Sequence, residues 1–265
     1  MIWTTQPRSE VPGGLAARQI GDGPPLILIH GVGLRAEAWA GVMPQLSAQF
    51  AVSAVDMPGH GGSPLGKARE LTDYVSRFVD YVQSLDQRVF VAGHSMGALI
   101  ALELAAQFPD RVAGVAALNA IYRRTPDAAL AVQARANALN AEARASAEPT
   151  LERWFGRNPT VWDADAANAC RTWLNSVDLE GYAAAYRIFA YHDGPDDMAL
   201  KNLRMPVIFQ TGSHDPNSTP EMSKTMASLA PVGRADVVAG AAHMMPMTHP
   251  GAVANALLHA FGVTK

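Results

Sequence analysis

The chain has 265 residues, of which 49% are hydrophobic and 17% are charged, and its formal net charge is -3. This composition is that of a globular protein and excludes extensive disorder. The small negative charge excludes a general attraction to nucleic acid or to an anionic membrane. Residues 1–14 lack a signal-peptide pattern, and no apolar run approaches the ~20 residues of a membrane helix. We therefore expect a soluble, cytoplasmic protein.

Short apolar runs alternate with helical patterns along the chain, and these runs predict strands. They occupy residues 26–29, 51–55, 89–92, 112–118 and 207–209. Each run is largely apolar on both faces, as in a parallel sheet that is covered by helices. The patterns elsewhere predict helices over residues 71–85, 96–107 and 250–261. The alternation predicts an α/β fold with an open, mostly parallel sheet, right-handed crossovers and helices on both faces.

Residues 121–200 interrupt this alternation, because helical segments follow one another there without a clear buried strand. The segments are residues 128–147, 151–155, 166–174 and 181–191. We predict a core made of residues 1–120 and 201–265, with residues 121–200 inserted as a helical cap. Such insertions commonly act as lids over a site, and a simple packing layer is the alternative. The single cysteine, Cys170, lies in this insertion and is interpreted as a small hydrophobic residue.

The segment Gly93-His94-Ser95-Met96-Gly97 matches the pattern G-x-S-x-G. It follows a predicted strand and opens a predicted helix, which is the context of a nucleophile elbow. The turn has to be sharp to hold the serine oxygen outside the sheet, and the two glycines avoid a collision between strand and helix. The start of a helix also supplies free N–H groups and a partial positive charge. We predict Ser95 as a nucleophile; the alternative is a glycine-rich turn with a chance serine.

A serine hydroxyl needs a base to take its proton, and eight histidines are available. His243 is predicted as the base, because it lies in a loop between a short apolar run and the last helix. His249 is second, at the start of that helix. His214 lies beside the acid candidate and is interpreted as its neighbour.

Asp215 is predicted as the acid that orients His243. It follows the run 206–210 and therefore lies at the carboxyl end of a strand, where sites in open α/β sheets are found. Asp236 is the competitor, but it precedes Val237 and lies at the opposite end of its strand. Asn119, after the strand that ends at Leu118, occupies another position for an acid and carries no charge.

The chain resembles the α/β-hydrolase fold family through His30-Gly31, the segment 93–97 and the later acid and histidine. The resemblance implies the triad order Ser95, Asp215 and His243. It also implies that the backbone N–H groups of Val32 and Met96 bind the oxyanion of an acyl-transfer reaction. His30, Asp56 and His60 are interpreted as structural residues of the loops that follow two strands.

Within this family the chain is most similar to 3-oxoadipate enol-lactonases and small carboxylesterases. The similar stretches are residues 151–155, 181–184 and 211–220. The chain departs from the lactonase pattern at Ala190-Tyr191, where that pattern has an Arg-Asp pair. The resemblance implies a serine hydrolase that cleaves a small carboxylic ester or lactone through an acyl-enzyme, without a metal or an organic cofactor.

Trp154 and Arg187 are predicted to contact the substrate. Arg123, Arg124 and Arg153 also lie in the predicted cap and are able to meet an acidic substrate, although solvated surface charge is the alternative. Two other functions keep the same fold: a carbon–carbon bond hydrolase of ring-cleavage products, and a hydrolase-like receptor for a small molecule. A haloalkane dehalogenase is disfavoured, because that class has an aspartate where Ser95 stands.

Overall fold

The computed structural model describes residues 7–139, 145–157 and 161–262. Its strands are β1 (Arg8–Val11), β2 (Leu15–Ile20), β3 (Pro25–Ile29), β4 (Ala51–Asp56), β5 (Val89–His94), β6 (Val112–Leu118), β7 (Val207–Gly212) and β8 (Gly233–Val238). Its helices are α1 (Met43–Leu46), α2 (Leu71–Gln83), α3 (Met96–Gln107), α4 (Pro126–Ala138), α5 (Glu148–Phe155), α6 (Val161–Ser176), α7 (Leu179–Tyr191), α8 (Asp197–Asn202), α9 (Pro220–Leu229), α10 (Met245–Thr248) and α11 (Pro250–Phe261). A short 3-10 helix, Ala36–Trp39, precedes α1.

The described strands form one eight-stranded sheet in the order β1-β2-β4-β3-β5-β6-β7-β8. The strands from β4 and β3 to β8 pair in parallel, which confirms the predicted α/β fold. The β1–β2 hairpin pairs antiparallel with itself and with β4, and the sequence did not predict it. The hairpin forms one end of the sheet, with β1 as the edge strand. Its strand β2 carries polar residues such as Arg18 and Gln19, so it lacks the continuous apolar run of a central strand.

Helices cover both faces of the sheet, and each face has its own core cluster. On one face, the apolar sides of α2 and α3 pack with Ile27, Val91 and Phe209. On the other face, α1 and α11 pack with Leu28 and Trp39. Full burial of such a side chain contributes about 1.5–3 kcal/mol, so both layers hold the sheet rigid beneath the loops that follow its strands.

The chain between β6 and β7 carries α4 to α8 and no strand in its described part. The ends of this segment are tied together, because Arg123 forms an ion pair of 2.7 Å with Asp197. The Arg124 backbone N–H also donates to Asp193 Oδ1 at 2.9 Å. The division into a core and a cap of residues 121–200 stays a prediction, and residues 140–144 of the predicted helix 128–147 lie outside the described ranges. None of the described helices has the length and the apolar character to cross a bilayer.

Candidate active site

Ser95 lies in a sharp turn between the end of β5 and the start of α3. Its backbone has a φ of 56° and a ψ of -117°, a left-handed conformation that is strained for a residue with a side chain. A Cβ atom at Gly93 would lie 2.0 Å from the carbonyl oxygen of Gly97, and one at Gly97 would lie 2.3 Å from that of Ile29. Only glycine allows this close approach of strand and helix, which lifts the serine side chain out of the sheet.

Ser95, His243 and Asp215 form a continuous chain of polar contacts. The Oγ atom of Ser95 lies 3.3 Å from His243 Nε2. The Nδ1 atom of His243 lies 2.8 Å from Asp215 Oδ2. Because the carboxylate accepts a hydrogen bond, Nδ1 carries the hydrogen and Nε2 is left as an acceptor that faces the serine hydroxyl. All three side chains are buried.

Asp215 is held by hydrogen-bond donors on both carboxylate oxygens. Oδ1 accepts from the backbone N–H groups of Asn217 at 2.9 Å and Ser218 at 3.2 Å. Oδ2 accepts from His243 and, at 2.7 Å, from the side-chain amide of Asn119. Burial by itself raises the pKa of this carboxyl, but His243 and these donors outweigh it and leave the pKa of Asp215 below its ordinary value. Asp215 is therefore an anion at neutral pH.

The competing candidates lie elsewhere. His214 is exposed, and His249 is half-buried with Nδ1 2.9 Å from Thr248 Oγ1. Asp236 accepts a hydrogen bond of 2.8 Å from the side-chain amide of Gln210. Cys170 is fully buried with Sγ 3.6 Å from the sulfur of Met247, and burial raises the pKa of its thiol. None of the four contacts Ser95 in the described hydrogen bonds.

The loop after β3 reaches the site beside Ser95, and two buried histidines brace it. His30 Nε2 accepts the backbone N–H of Met57 at 3.0 Å, and His60 Nε2 accepts that of Gly33 at 3.0 Å. Burial lowers the pKa of His30 to about 3 and that of His60 to about 4, so both rings are neutral and able to accept. The loop they hold contains Val32, one of the residues expected to bind the oxyanion.

Asp56 has a structural environment of the same kind. Its carboxylate accepts the backbone N–H of Ala36 at 2.7 Å and that of Gly62 at 2.9 Å, and Arg8 Nε donates to it at 2.6 Å. Burial raises the pKa of Asp56, while these donors lower it, and the balance lies below the ordinary value. The group thus ties the β1 strand to the loops after β3 and β4.

Ser95 and His243 lie in the wall of a cavity of about 220 Å³ beneath the inserted helices. Val32 and Trp154, two further residues predicted for the site, also line it. Met96 is the first residue of α3, with its side chain fully buried and its backbone at the helix start beside Ser95. The cavity is smaller than most ligand pockets, which suits a small molecule.

The inserted helices contribute aromatic and cationic side chains to this cavity. Three rings on α7, those of Tyr182, Tyr186 and Phe189, lie along one face of that helix and line the cavity. Arg135 of α4 and Arg153 of α5 line it as well. Sequence reasoning missed Arg135 and the three rings, although the spacing of the rings at i, i+4 and i+7 is a signal that could have found them.

The structure does not bring Arg187 to the cavity. Its side chain is exposed, and it lies outside the cavity lining. At 100° per residue, Arg187 points well away from the face of α7 that carries Tyr182 and Tyr186. The cations of the cavity are instead Arg135, Arg153 and Arg124.

The chain matches a known protein family over most of its length. A model described as the alpha/beta hydrolase family matches residues 26–256. The chain therefore belongs to the alpha/beta hydrolase family, and it is a hydrolase by this membership.

Two relatives and one solved structure are similar to this chain over most of its length. The chain is 39% identical over 239 residues to (E)-2-((N-methylformamido)methylene)succinate hydrolase from Acinetobacter baylyi, with 89% of this chain and 90% of the relative covered. It is 28% identical over 233 residues to the pimeloyl-(acyl-carrier protein) methyl ester esterase of Edwardsiella ictaluri, covering 85% and 88%. The enol-lactonase from Burkholderia xenovorans LB400 shares the fold with a TM-score of 0.82 at 23% identity, covering 97% of this chain and 100% of that one.

Proposed function

We propose that this protein is a serine hydrolase that cleaves the bond between a carbonyl carbon and an oxygen or nitrogen atom in a small carboxylate-bearing molecule. The observation that carries the proposal is the chain of contacts from Ser95 through His243 to Asp215 in the wall of a cavity. A nucleophile, a base and an orienting acid within hydrogen-bond reach are the arrangement that acyl transfer requires.

The reaction proceeds in two halves. His243 Nε2 takes the hydroxyl proton while Ser95 Oγ bonds to the carbonyl carbon, and the carbonyl oxygen becomes an oxyanion. The bond to the leaving oxygen or nitrogen then breaks as His243 returns the proton to that atom. In the second half, water gives a proton to His243 and attacks the acyl-enzyme, and Ser95 leaves with that proton.

Asp215 and the oxyanion site stabilise the charges that form during these steps. The carboxylate of Asp215 stabilises the imidazolium of His243, which is formed each time a proton is taken up. The backbone N–H groups of Val32 and Met96 are assigned to the oxyanion. The start of α3 adds the partial positive charge of its dipole at the same place.

The arginines of the cavity support a substrate that carries a carboxylate. Arg135 Nε donates to the hydroxyl of Tyr186 at 3.1 Å, and Arg153 donates to Thr150 Oγ1 at 2.8 Å. Across the described residues, neither guanidinium has a carboxylate within ion-pair distance. A cation that is partly removed from water without a counter-ion is unfavourable, and an anionic substrate group would compensate it.

One relative supports the same substrate class, and two relatives together leave two bonds to compare. The name of the Acinetobacter baylyi relative denotes a formamide joined to a succinate, which is an amide on a dicarboxylate. The name of the Edwardsiella ictaluri relative denotes a methyl ester. We propose the amide of an N-acylated, carboxylate-bearing enamine first and a small ester or lactone second, because the identity to the first relative is higher.

The test combines an active-site label with substrates. A fluorophosphonate probe should label Ser95, as located by mass spectrometry of the peptide, and Ser95→Ala should abolish the label. The wild type should hydrolyse short p-nitrophenyl esters or an N-acylated aminomethylene succinate, with Ser95→Ala reduced by at least ~10³-fold. Equal turnover by both proteins would overturn the proposal.

Two added measurements, turnover of a dienoic ring-cleavage product and binding of small carboxylates, separate the other two functions. Turnover of a dienoic ring-cleavage product, with no turnover of esters or amides, would replace the proposal with carbon–carbon bond hydrolysis. Binding of small carboxylates without turnover of any substrate would indicate a receptor.

A further inference from the structure

Asn119 lies between the strand of the proposed nucleophile and the strand of the proposed acid. It follows β6, which pairs with β5 on one side and with β7 on the other. Its backbone N–H donates to the carbonyl of Gln210 at 2.8 Å, and its own carbonyl accepts from Ser218 Oγ at 2.7 Å. The preceding residue, Leu118, accepts the backbone N–H of Ser95 at 2.8 Å. Asn119 is thus hydrogen-bonded to the segment that carries Asp215, and its neighbour Leu118 is hydrogen-bonded to Ser95.

The side chain of Asn119 points its amide nitrogen at the acid. Nδ2 lies 2.7 Å from Asp215 Oδ2, the same oxygen that accepts from His243 Nδ1. Nδ2 also lies 3.4 Å from the carbonyl of Ala242 and 3.5 Å from Thr211 Oγ1. Because oxygen atoms surround this end of the amide, the NH₂ group has to face them. The opposite atom, Oδ1, is buried without a hydrogen-bond partner in the described part of the chain.

The backbone of Asn119 is held in an unusual conformation. Its φ is 50°, which is a region that asparagine, aspartate and glycine tolerate better than other residues. A buried orphan oxygen and a left-handed backbone both cost stability. These two costs are explained if the side-chain amide of Asn119 has a function at Asp215.

We propose that Asn119 is a positioning residue for the reaction. Its amide donor fixes Asp215 Oδ2 in line with His243 Nδ1 and keeps the carboxylate ionised, so that His243 presents Nε2 to Ser95 in the correct tautomer. A neutral donor is required here, because a second carboxylate would share a proton with Asp215 and an apolar residue would leave Oδ2 with one donor fewer. The proposal rests on the proposed serine-hydrolase function.

The experiment compares two variants that suit the backbone of this position. Asn119→Asp keeps the size of the side chain but replaces a donor with an acceptor, and Asn119→Gly removes the donor without adding strain. The rate of Ser95 labelling by a fluorophosphonate is measured from pH 4 to pH 9, so that no natural substrate is needed. Loss of a hydrogen bond to a charged group should slow labelling by about 10- to 100-fold in Asn119→Gly.

The pH profile separates positioning from a structural role. Loss of the Asn119 amide donor, or its replacement by a carboxylate, should raise the pKa of Asp215. The acidic limb of the labelling profile should therefore move to higher pH. The shift should be larger for Asn119→Asp than for Asn119→Gly. Gln210→Leu is the control, because it removes a buried amide from the adjacent strand that contacts Asp236 and not Asp215.

Asp215→Asn is the reference for loss of the acid itself. It places a donor among four donors and should lower the rate by about 10⁴-fold. If Asn119→Gly and Asn119→Asp label within about twofold of wild type with an unmoved acidic limb, the proposal is overturned. If Ser95→Ala labels like wild type, the proposed function fails instead.

Discussion

The Nε2 atom of His94 lies 2.7 Å from the carbonyl oxygen of His243. The residue before the proposed nucleophile therefore holds the loop that carries the proposed base. The two rings also lie against each other, with centroids 5.1 Å apart. Burial lowers the pKa of His94 to about 3, so its ring is neutral and Nε2 carries the hydrogen that it donates to this carbonyl. Because this contact joins the segments that carry Ser95 and His243, we expect it to help set the distance between these two residues.

Replacing His94 should therefore separate hydrogen bonding from ring packing. His94→Leu leaves the carbonyl of His243 without its donor, which should lower the free energy of unfolding by about 1–3 kcal/mol and slow the labelling of Ser95. His94→Gln retains a donor and should lose less of both. Urea denaturation and the fluorophosphonate rate measure the two effects. A His94→Leu protein as stable and as fast as His94→Gln would show that the hydrogen bond has no such role.

The turn at Ser95 should not tolerate a methyl side chain at position 97. In Gly97→Ala the new Cβ would lie 2.3 Å from the backbone oxygen of Ile29, which no side-chain movement can relieve. We expect a loss of stability of at least about 2 kcal/mol and no labelling of Ser95. Gly251→Ala is the matched control. Its Cβ would meet only Gln45 Oε1 at 3.8 Å, and a helical alanine should be neutral or stabilise by up to about 1 kcal/mol. The melting temperatures of the two variants compare them directly.

The cavity arginines should act on a charged substrate and not on a neutral one. Arg135→Gln and Arg153→Gln should each raise KM for a p-nitrophenyl ester of succinic acid by about tenfold or more, because each removes a charge-assisted contact. KM for p-nitrophenyl acetate should change little. Arg187→Gln is the control, since this exposed arginine lies outside the cavity. If Arg187→Gln had the same effect as the other two, the charge of the cavity would not be the cause.

The central part of the fold was predictable, because its cause is local in the sequence. Strands such as β3 and β6 are buried on both faces and therefore read as continuous apolar runs. The edge strands β1 and β8 are partly exposed and mix polar with apolar residues, so their apolar pattern is weak. The family resemblance is confirmed by the family model, whereas the roles of Ser95, Asp215 and His243 stay a prediction with a supporting geometry.

The substrate side of the site was harder to predict, because it depends on how inserted helices rotate against the core. Arg153 and Arg187 both lie in predicted helical segments, and the sequence does not distinguish them. Only the packing of these helices decides which of the two arginines reaches the cavity. The sequence shows Asn119 only as an uncharged residue at an acid position. Its contact with Asp215 joins positions 96 residues apart, which no local pattern reveals.

We expect the two buried histidines that brace the loop after β3, His30 and His60, to make the stability of the protein depend on pH. The pKa of His30 is lowered by burial to about 3 and that of His60 to about 4, whereas both have a pKa near 6.5 in the unfolded chain. Between these values the unfolded chain binds more protons than the folded chain, so stability is fully present above pH 6.5 and is lost as the pH falls towards 4. Each histidine contributes a slope of up to about 1.4 kcal/mol per pH unit.

A substitution should remove part of this slope. His60→Gln keeps an acceptor for the backbone N–H of Gly33 but cannot be protonated, so its free energy of unfolding should fall less steeply between pH 7 and pH 5. His259→Gln, which removes an exposed histidine, is the control. Urea denaturation of the three proteins at several pH values provides the comparison. A slope for His60→Gln equal to that of wild type would mean that His60 takes up its proton without unfolding, and that the loop bearing Val32 does not depend on a neutral ring at this position.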